Sequence, residues 1–267
     1  MKRIGVIGTG NMGGALLERT AQVGRERGWE FVAYDADGEK LRRVCSACGA
    51  IAAASNEELV EGCDTVVLAV KPQVYKGVLG EVAPLLREKR AVSVMAGVSL
   101  KSLNEVTGTP STKWVRVMPN LPALIGKGAI ACSWEPGWEE DEKAAVKEML
   151  GTLGRVVEVP EELMDAVTGL SGSGPAYLFL FVEALCDAGV RAGIPRDVAY
   201  DLALETVIGS ALFLREKGLH PALAKERVTS PGGTTIAALQ VLESRGVRGT
   251  VMEAVMAATL RSKELGS

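Results

Sequence analysis

A glycine-rich turn near the start of the chain is the feature that most restricts its fold. Ile4–Gly8 is short and apolar, which predicts a β-strand, and Gly8-Thr9-Gly10-Asn11-Met12-Gly13 follows it directly. Met12–Gly24 then has the apolar spacing of a helix. In a strand–turn–helix unit, such glycines permit the tight turn, a close approach of ligand to backbone, and close helix packing. The turn therefore predicts a binding site for the pyrophosphate of a dinucleotide.

Residues 1–160 alternate short apolar runs with amphipathic stretches, which predicts a mostly parallel sheet covered by helices on both faces. The predicted strands are Ile4–Gly8, Phe31–Tyr34, Thr65–Val70, Ala91–Ala96, Lys113–Met118, Ala129–Ser133 and Val156–Val159. The predicted helices are Met12–Gly24, Gly38–Ala47, Asn56–Glu61, Gln73–Arg87, Leu100–Val106 and Glu139–Leu150. This is the α/β, doubly wound pattern of a Rossmann domain.

Residues 161–267 follow a different pattern, with helical periodicity throughout and no convincing strand. The predicted helices are Glu161–Thr168, Pro175–Ala192, Asp197–Glu216, Pro221–Val228, Thr234–Arg245 and Arg248–Lys263. Small residues recur along them, which allows helix backbones to approach closely. About 105 residues of long apolar helices often exceed what one chain can cover, so we predict an all-α domain that forms a homodimer.

Charge and composition limit the partners and the compartment. The chain has 267 residues, a net charge of −3 and no basic cluster, so neither nucleic acid nor a membrane surface is an expected partner. Its most apolar window, Ala176–Leu185, is far shorter than the roughly 20 residues of a membrane span, and Glu183 interrupts it. Five cysteines without a secretory context argue against a disulfide framework, and Cys45-x-x-Cys48 lacks the second pair of a zinc site. A cytoplasmic protein without a metal is expected.

The end of the second predicted strand bears on the choice between NADH and NADPH. Asp35 follows Gly13 at close to the offset of about 20 residues at which a carboxylate bonds the ribose hydroxyls. This favours NADH. Lys40, Arg42 and Arg43 begin the next helix and could bind a 2′-phosphate, so the preference stays open. Asp35 could also be a turn residue before Gly38.

The most unusual segment of the helical half is Ser230-Pro231-Gly232-Gly233-Thr234-Thr235. Its Pro-Gly-Gly ends one predicted helix, and its threonines begin another. Free backbone N–H groups and hydroxyls at such a junction suit a small carboxylate. On this feature alone, a helix–helix corner capped by threonine is the better interpretation.

Motifs along the whole chain resemble those of pyrroline-5-carboxylate reductases. The segment from Pro221 to Glu243 resembles the signature of that family. The other matching motifs are Ile7-Gly8-Thr9-Gly10-Asn11-Met12-Gly13, Ala69-Val70-Lys71-Pro72, Ala96-Gly97-Val98, Arg116-Val117-Met118-Pro119-Asn120 and Gly172-Ser173-Gly174-Pro175-Ala176-Tyr177. The resemblance implies a Rossmann domain, a helical domain that interlocks with a partner, and in some members rings of dimers. It implies reduction of the C=N bond of 1-pyrroline-5-carboxylate to L-proline by NADPH or NADH.

The resemblance also implies roles for individual residues. Ser230, Gly232 and Gly233 would hold the substrate carboxylate, and Thr235, next to Thr234, would bond the ring nitrogen. The cofactor residues implied are Gly8, Gly10, Asn11, Met12, Gly13, Asn56, Val70, Lys71, Pro72, Ala96, Gly97 and Asn120. The offset from Gly13 adds Asp35, which departs from the small or basic group typical of NADPH-preferring members. Leu121 departs from the family, which often has threonine after this Pro-Asn, and this puts any role of the position in doubt.

The residue inventory agrees with imine reduction. A protonated cyclic imine already accepts hydride well, so no strong acid is needed, and the single histidine, His220, is interpreted as a helix-entry residue.

A β-hydroxyacid dehydrogenase of similar build would need a lysine on the helix that joins the domains, and Pro175–Ala192 has none. A reductase of six-membered cyclic imines stays open, because one methylene in a pocket is worth about 1–3 kcal/mol. A non-catalytic NAD(P)-binding redox sensor would not need the Ser230–Thr235 corner.

Overall fold

The computed structural model describes residues 2–108 and 112–266. The chain divides into two compact units, one of Met1–Ser173 with Ala257–Ser267 and one of Gly174–Met256. The sequence instead suggests a single domain boundary after residue 160, and that functional division stays a prediction. No local sequence signal marks the last helical turns as belonging with the first unit.

The described strands of the first unit form one sheet in the order β3-β2-β1-β4-β5-β6-β7-β8. The strands are β1 (Arg3–Ile7), β2 (Glu30–Tyr34), β3 (Ile51–Ala52), β4 (Thr65–Leu68), β5 (Arg90–Ser93), β6 (Lys113–Met118), β7 (Gly128–Trp134) and β8 (Gly154–Glu158). All neighbours pair in parallel except β6 and β7. The order reverses between β1 and β4, which creates the switch point at which such sheets bind ligands. The predicted Rossmann fold is confirmed.

Helices cover both faces of this sheet. They are α1 (Asn11–Arg27), α2 (Gly38–Cys48), α3 (Asn56–Gly62), α4 (Tyr75–Val82), α5 (Leu100–Thr107), α6 (Glu140–Gly151) and α7 (Met164–Val167). Because side chains alternate along a strand, neighbouring residues of β1 enter different cores. Val6 packs in the core beneath α1, α2 and α6, whereas Ile7 packs in the core beneath α3, α4 and α5. Continuous apolar strands of this kind are typical of a sheet buried on both faces.

Three local features differ from the sequence prediction. β3 is missed because it has two exposed residues at the sheet edge and no readable periodicity. The predicted helix Gln73–Arg87 is α4 followed by a short 3-10 helix, Ala83–Leu86, where Pro84 cannot donate to the preceding turn. A π-helix, Thr168–Gly172, follows α7, and such turns are frequent at functional sites.

The second unit is helical throughout its described residues, as predicted. It contains α8 (Gly174–Arg191), α9 (Arg196–Lys217), α10 (Pro221–Arg227), α11 (Thr234–Ser244) and the start of α12 (Val247–Gly266). Large apolar side chains are exposed on α8 and α9, among them Leu178, Phe179, Leu180, Tyr200 and Leu202. In the described chain, one helical stretch, Glu161–Arg191, is long and apolar enough to cross a membrane, and 11% of its most apolar window is buried. An apolar surface of this extent needs a covering partner.

Candidate functional site

The glycine-rich turn has the shape of a dinucleotide cradle. Gly8 has a φ of 96°, and a Cβ there would lie 2.7 Å from the Ala69 carbonyl oxygen. A Cβ on Gly13 would collide with the Gly8 carbonyl, so the third glycine permits α1 to pack on β1. A Cβ on Gly10 would meet nothing within 4 Å. The open space at Gly10, before the N-terminus of α1, therefore fits a pyrophosphate.

The Asp35 carboxylate, just after β2, is held by the same turn. Its Oδ2 accepts hydrogen bonds from the Thr9 backbone N–H at 2.6 Å and from the Thr9 hydroxyl at 3.0 Å. Its Oδ1 accepts from the Asp37 N–H at 2.9 Å. Three donors thus fix the orientation of this carboxylate beside the glycine-rich turn.

The start of α2 is capped by Asp37. Its Oδ1 accepts from the N–H groups of Glu39 and Lys40 at 3.1 and 3.2 Å. Its Oδ2 lies 2.9 Å from Lys40 Nζ. The hydrogen bond with Lys40 lowers the pKa of Asp37 and raises the pKa of Lys40. The first basic residue of α2 therefore already has an acidic partner.

Asn56 begins α3 and is almost completely buried. Its Nδ2 donates to Glu81 Oε2 at 3.1 Å. Its Oδ1 has no hydrogen-bond partner among the described residues. Glu81 thus orients the amide so that Oδ1 is the acceptor that no described residue uses.

Three of the predicted cofactor residues, Pro72, Ala96 and Gly97, line one cleft of about 760 Å³ at the carboxyl edge of the sheet. Lys71 lies beside it with an exposed side chain, and Val70 is half-buried. The cleft also contains residues that the sequence did not indicate, namely Gln73, Tyr75, Lys76, Ser102, Thr168, Arg261, Ser262 and Gly266. Arg261 and Ser262 come from the end of α12, so no local motif could have placed them there.

Asn120 follows β6 and has both ends of its amide engaged within the protein. Its Nδ2 donates to the Ser171 carbonyl at 3.0 Å, and its Oδ1 accepts from the Ala129 N–H at 2.9 Å. It therefore joins the π-helix to β7. Ser173, just after that π-helix, lines the cleft.

The Ser230–Thr235 corner of the second unit joins α10 to α11. Gly232 has a φ of 66°, and the Gly233 N–H donates to the Ser230 carbonyl at 3.1 Å. Gly233 precedes α11, and no side chain of the described residues caps that helix. Ser230 and Thr234 are exposed, and Thr235 is half-buried. The corner thus presents uncapped N–H groups with hydroxyls beside them.

His220 caps the start of α10, since its Nδ1 accepts from the Ala222 N–H at 3.3 Å. This confirms its interpretation as a helix-entry residue. All five cysteines are free. Burial raises the pKa of Cys63 and of Cys132 to about 11. No group of three His, Cys, Asp or Glu side chains within the described ranges is arranged to hold a metal ion.

A Rossmann unit with a glycine cradle, joined to a helical unit, defines the class of NAD(P)-dependent oxidoreductases. Comparison with known proteins narrows this class. Residues 161–265 match the family model for pyrroline-5-carboxylate reductase dimerisation, and residues 3–97 match the model for coenzyme F420-dependent NADP oxidoreductase.

Relatives and solved structures match over nearly the whole chain. The pyrroline-5-carboxylate reductase of Synechocystis is 43% identical over 99% of this chain and 98% of its own length. That of Methanosarcina acetivorans is 41% identical, over 99% of this chain and 98% of its own length. The crystal structure of pyrroline carboxylate reductase from Plasmodium falciparum with NADP bound is 34% identical, with a TM-score of 0.87 over 100% of this chain and 98% of that one. The structure of the Coxiella burnetii pyrroline-5-carboxylate reductase is 32% identical, with a TM-score of 0.93 over 99% of this chain and 98% of that one. The chain belongs to the pyrroline-5-carboxylate reductase family.

Membership of this family accounts for the exposed apolar helices. The matched dimerisation region includes α8 and α9, whose large apolar side chains are uncovered in a single chain. The protein is a homodimer, and its cofactor is NADH or NADPH. The apolar stretch Glu161–Arg191 lies within the matched dimerisation region.

Proposed function

We propose that this chain reduces the C=N bond of 1-pyrroline-5-carboxylate to give L-proline, the last step of proline biosynthesis. The observation that carries the proposal is the match to reductases of this name over 98–99% of the chain. When bound, NADH or NADPH supplies the hydride. Reduction is the favoured direction, because the cyclic imine is a strong hydride acceptor. The enzyme works in the cytoplasm.

On the cofactor side, the proposed pyrophosphate site is the turn formed by Gly8, Gly10, Asn11, Met12 and Gly13. The open space at Gly10 and the uncapped start of α1 support this role. The adenosine ribose would lie by Asp35 and Asn56. The other proposed cofactor contacts are Val70, Lys71, Pro72, Ala96, Gly97 and Asn120, which lie at or just beyond the ends of β4, β5 and β6.

For Asn120, the hydrogen bonds favour positioning over ligand contact. Both ends of its amide have protein partners, at Ser171 and Ala129. Asn120 would therefore line the nicotinamide pocket and, through these two hydrogen bonds, keep the neighbouring backbone in position.

On the substrate side, the proposed site is the Ser230–Thr235 corner. The N–H groups at the start of α11 and the hydroxyls of Ser230 and Thr234 would hold the carboxylate of the imino acid. The Thr235 hydroxyl would bond the ring nitrogen and keep the imine in one orientation. Residues 161–267 would thus serve both substrate binding and dimerisation.

The demands on the protein are modest. A protonated cyclic imine needs no strong general acid, which agrees with a chain whose single histidine caps a helix. The site has to exclude water and hold the imine carbon about 3–3.5 Å from its hydride donor. Fixing both the carboxylate and the ring nitrogen supplies that orientation.

The direct test is the loss of nicotinamide absorbance with purified protein and 1-pyrroline-5-carboxylate, run separately with NADH and NADPH. The proposal requires turnover that depends on the imine and yields proline. A six-membered cyclic imino acid serves as the matched competitor, and we expect its kcat/KM to be about 10- to 200-fold lower. Cofactor binding without turnover of the five-membered imine would refute the proposal.

A further inference from the structure

We propose that Asp35, together with the capped start of α2, makes this chain select NADH over NADPH. The inference rests on the proposed function for its physiological meaning and on the geometry after β2 for its argument. Three features lie where the adenosine ribose of a dinucleotide bound at the glycine-rich turn would be placed. They are an immobilised carboxylate, an occupied helix N-terminus and a lysine that is already paired.

The carboxylate is the first feature. Asp35 cannot easily turn away from an incoming ligand, because Thr9 and Asp37 hold both of its oxygens. An ionised carboxylate has about four acceptor positions, and three of them are used here. The remaining position, on Oδ1, suits a ribose hydroxyl, which can donate a hydrogen bond. A 2′-phosphate dianion has no proton to donate and is repelled by the fixed negative charge.

The start of α2 is the second feature. Backbone N–H groups at a helix N-terminus are the usual protein partners of a phosphate. Here the N–H groups of Glu39 and Lys40 already donate to Asp37. A 2′-phosphate would have to displace this carboxylate or lie next to it, and both are unfavourable. Asp37 therefore removes a donor set that a phosphate would otherwise use.

The basic residues are the third feature. Lys40 lies 2.9 Å from Asp37, and this hydrogen bond raises the pKa of the lysine. Arg42 and Arg43 are exposed, and a Cβ placed on Gly38 would lie 3.5 Å from Arg42 Nη1. The positive charges of Lys40, Arg42 and Arg43 are matched by the negative charges of Asp35, Asp37 and Glu39. This stretch consequently offers no excess of positive charge to a phosphate dianion.

The experiment measures dinucleotide affinity directly, by calorimetry with NAD⁺ and with NADP⁺ on the full-length dimer. We expect NADP⁺ to bind at least about tenfold more weakly than NAD⁺. Asp35→Asn keeps the size and the acceptor that Thr9 needs, but removes the charge and the acceptor of the Asp37 N–H. It should lower the ratio of the Kd for NADP⁺ to the Kd for NAD⁺ by about tenfold, chiefly through tighter NADP⁺ binding.

Glu26→Gln is the matched control, because it removes the same charge from an exposed side chain at the end of α1 that is remote from the glycine-rich turn. It should leave the ratio within about twofold of wild type. Equal or tighter binding of NADP⁺ by the wild-type dimer would overturn the inference. So would an unchanged ratio in Asp35→Asn, or NADP⁺ binding about tenfold weaker in Arg42→Gln than in wild type.

The binding measurement separates this inference from the proposed reaction, because it contains no imine. A dimer that discriminates between the dinucleotides but does not reduce 1-pyrroline-5-carboxylate would keep the inference and refute the proposed reaction. A dimer that reduces the imine equally well with both cofactors, and binds both equally, would refute the inference and support the proposed reaction. Thermal unfolding without ligand checks that Asp35→Asn retains the native turn.

Discussion

Arg116 and Glu161 form an ion pair in which the arginine is buried and the carboxylate is not. Arg116 Nη1 lies 3.2 Å from Glu161 Oε1, with 6% of the arginine side chain and 28% of the glutamate side chain exposed. The same Oε1 accepts from the Leu100 N–H at 2.7 Å. Asp165 lies 3.9 Å from Arg116 Nη2 and accepts from Ser262. Arg116 thus links β6 to the segment before the π-helix and to the end of α12.

Arg116→Met should destabilise the fold by about 2–4 kcal/mol. The methionine fills most of the volume, but it leaves Glu161 and Asp165 without their cation. Glu161→Gln should cost about 1–2 kcal/mol, since Asp165 still faces the arginine. Urea unfolding followed by circular dichroism gives both values.

The matched control is Lys101→Gln, which breaks an exposed pair with Glu105 at 3.8 Å. Surface pairs contribute about 0–1 kcal/mol, so we expect a change below about 0.5 kcal/mol. Equal losses in Arg116→Met and Lys101→Gln would show that the buried pair contributes no more than the exposed one.

Gly10→Ala should weaken dinucleotide binding by about tenfold or more without destabilising the free protein. A Cβ at this position meets no atom of the chain within 4 Å, so it enters space that the proposed pyrophosphate site needs. The free energy of unfolding and the Kd for NAD⁺, measured on the same sample, separate the two effects.

Two other glycines provide the contrasts for this prediction. Gly13→Ala should destabilise the fold itself, because its Cβ would collide with the Gly8 carbonyl. Gly77→Ala, within α4 and also in open space, should leave binding unchanged and add about 0.5–1 kcal/mol of stability. Unimpaired NAD⁺ binding by Gly10→Ala would remove Gly10 from the proposed site.

Sequence alone predicted the features whose causes are local. Gly8, Gly10 and Gly13 form a turn within one short segment, so their spacing already specified a strand, a turn and a helix. The helical second unit followed from long apolar periodicity, and His220 before Pro221 was recognisable as a helix start. Each of these inferences depends on neighbours in the sequence.

Features that depend on distant contacts could not be predicted in this way. The Thr9–Asp35 hydrogen bonds join two loops that only the parallel pairing of β1 and β2 brings together. Arg261 reaches the cleft from the end of α12. The π-helix Thr168–Gly172 is held by Asn120 from another strand end, and the family motif around it gave no sign of that geometry.

High pH should destabilise the protein through two buried thiols. Burial raises the pKa of Cys63 and Cys132 from about 9 to about 11 in the folded state. The unfolded chain therefore loses these protons first, so full stability is present below about pH 9 and is lost as the pH rises towards 11. After allowance for partial solvation, we expect about 1–2 kcal/mol per thiol.

Urea unfolding at several pH values, on wild type and on Cys63→Ala and Cys132→Ala, measures this effect. Each variant should be less stable than wild type by a constant amount, because the substitution leaves a cavity. Above about pH 9, its free energy of unfolding should fall less steeply with pH than that of wild type. Between pH 7 and about 8 the slopes should agree, because both folded and unfolded thiols are then protonated. Parallel curves up to pH 11 would contradict the predicted role of the thiols.

Thr235→Ala should lower kcat/KM for the imine by about 10- to 100-fold and leave the Kd for dinucleotide nearly unchanged. The half-buried hydroxyl, in the first turn of α11, is the group proposed to bond the ring nitrogen, and losing one such bond at the reacting centre has effects of this size. Thr235→Ser keeps the hydroxyl and should retain most of the activity, which a purely packing role would not predict. Steady-state kinetics and calorimetry on the three proteins decide between the two roles, because unchanged kinetics in Thr235→Ala would exclude Thr235 from the reaction.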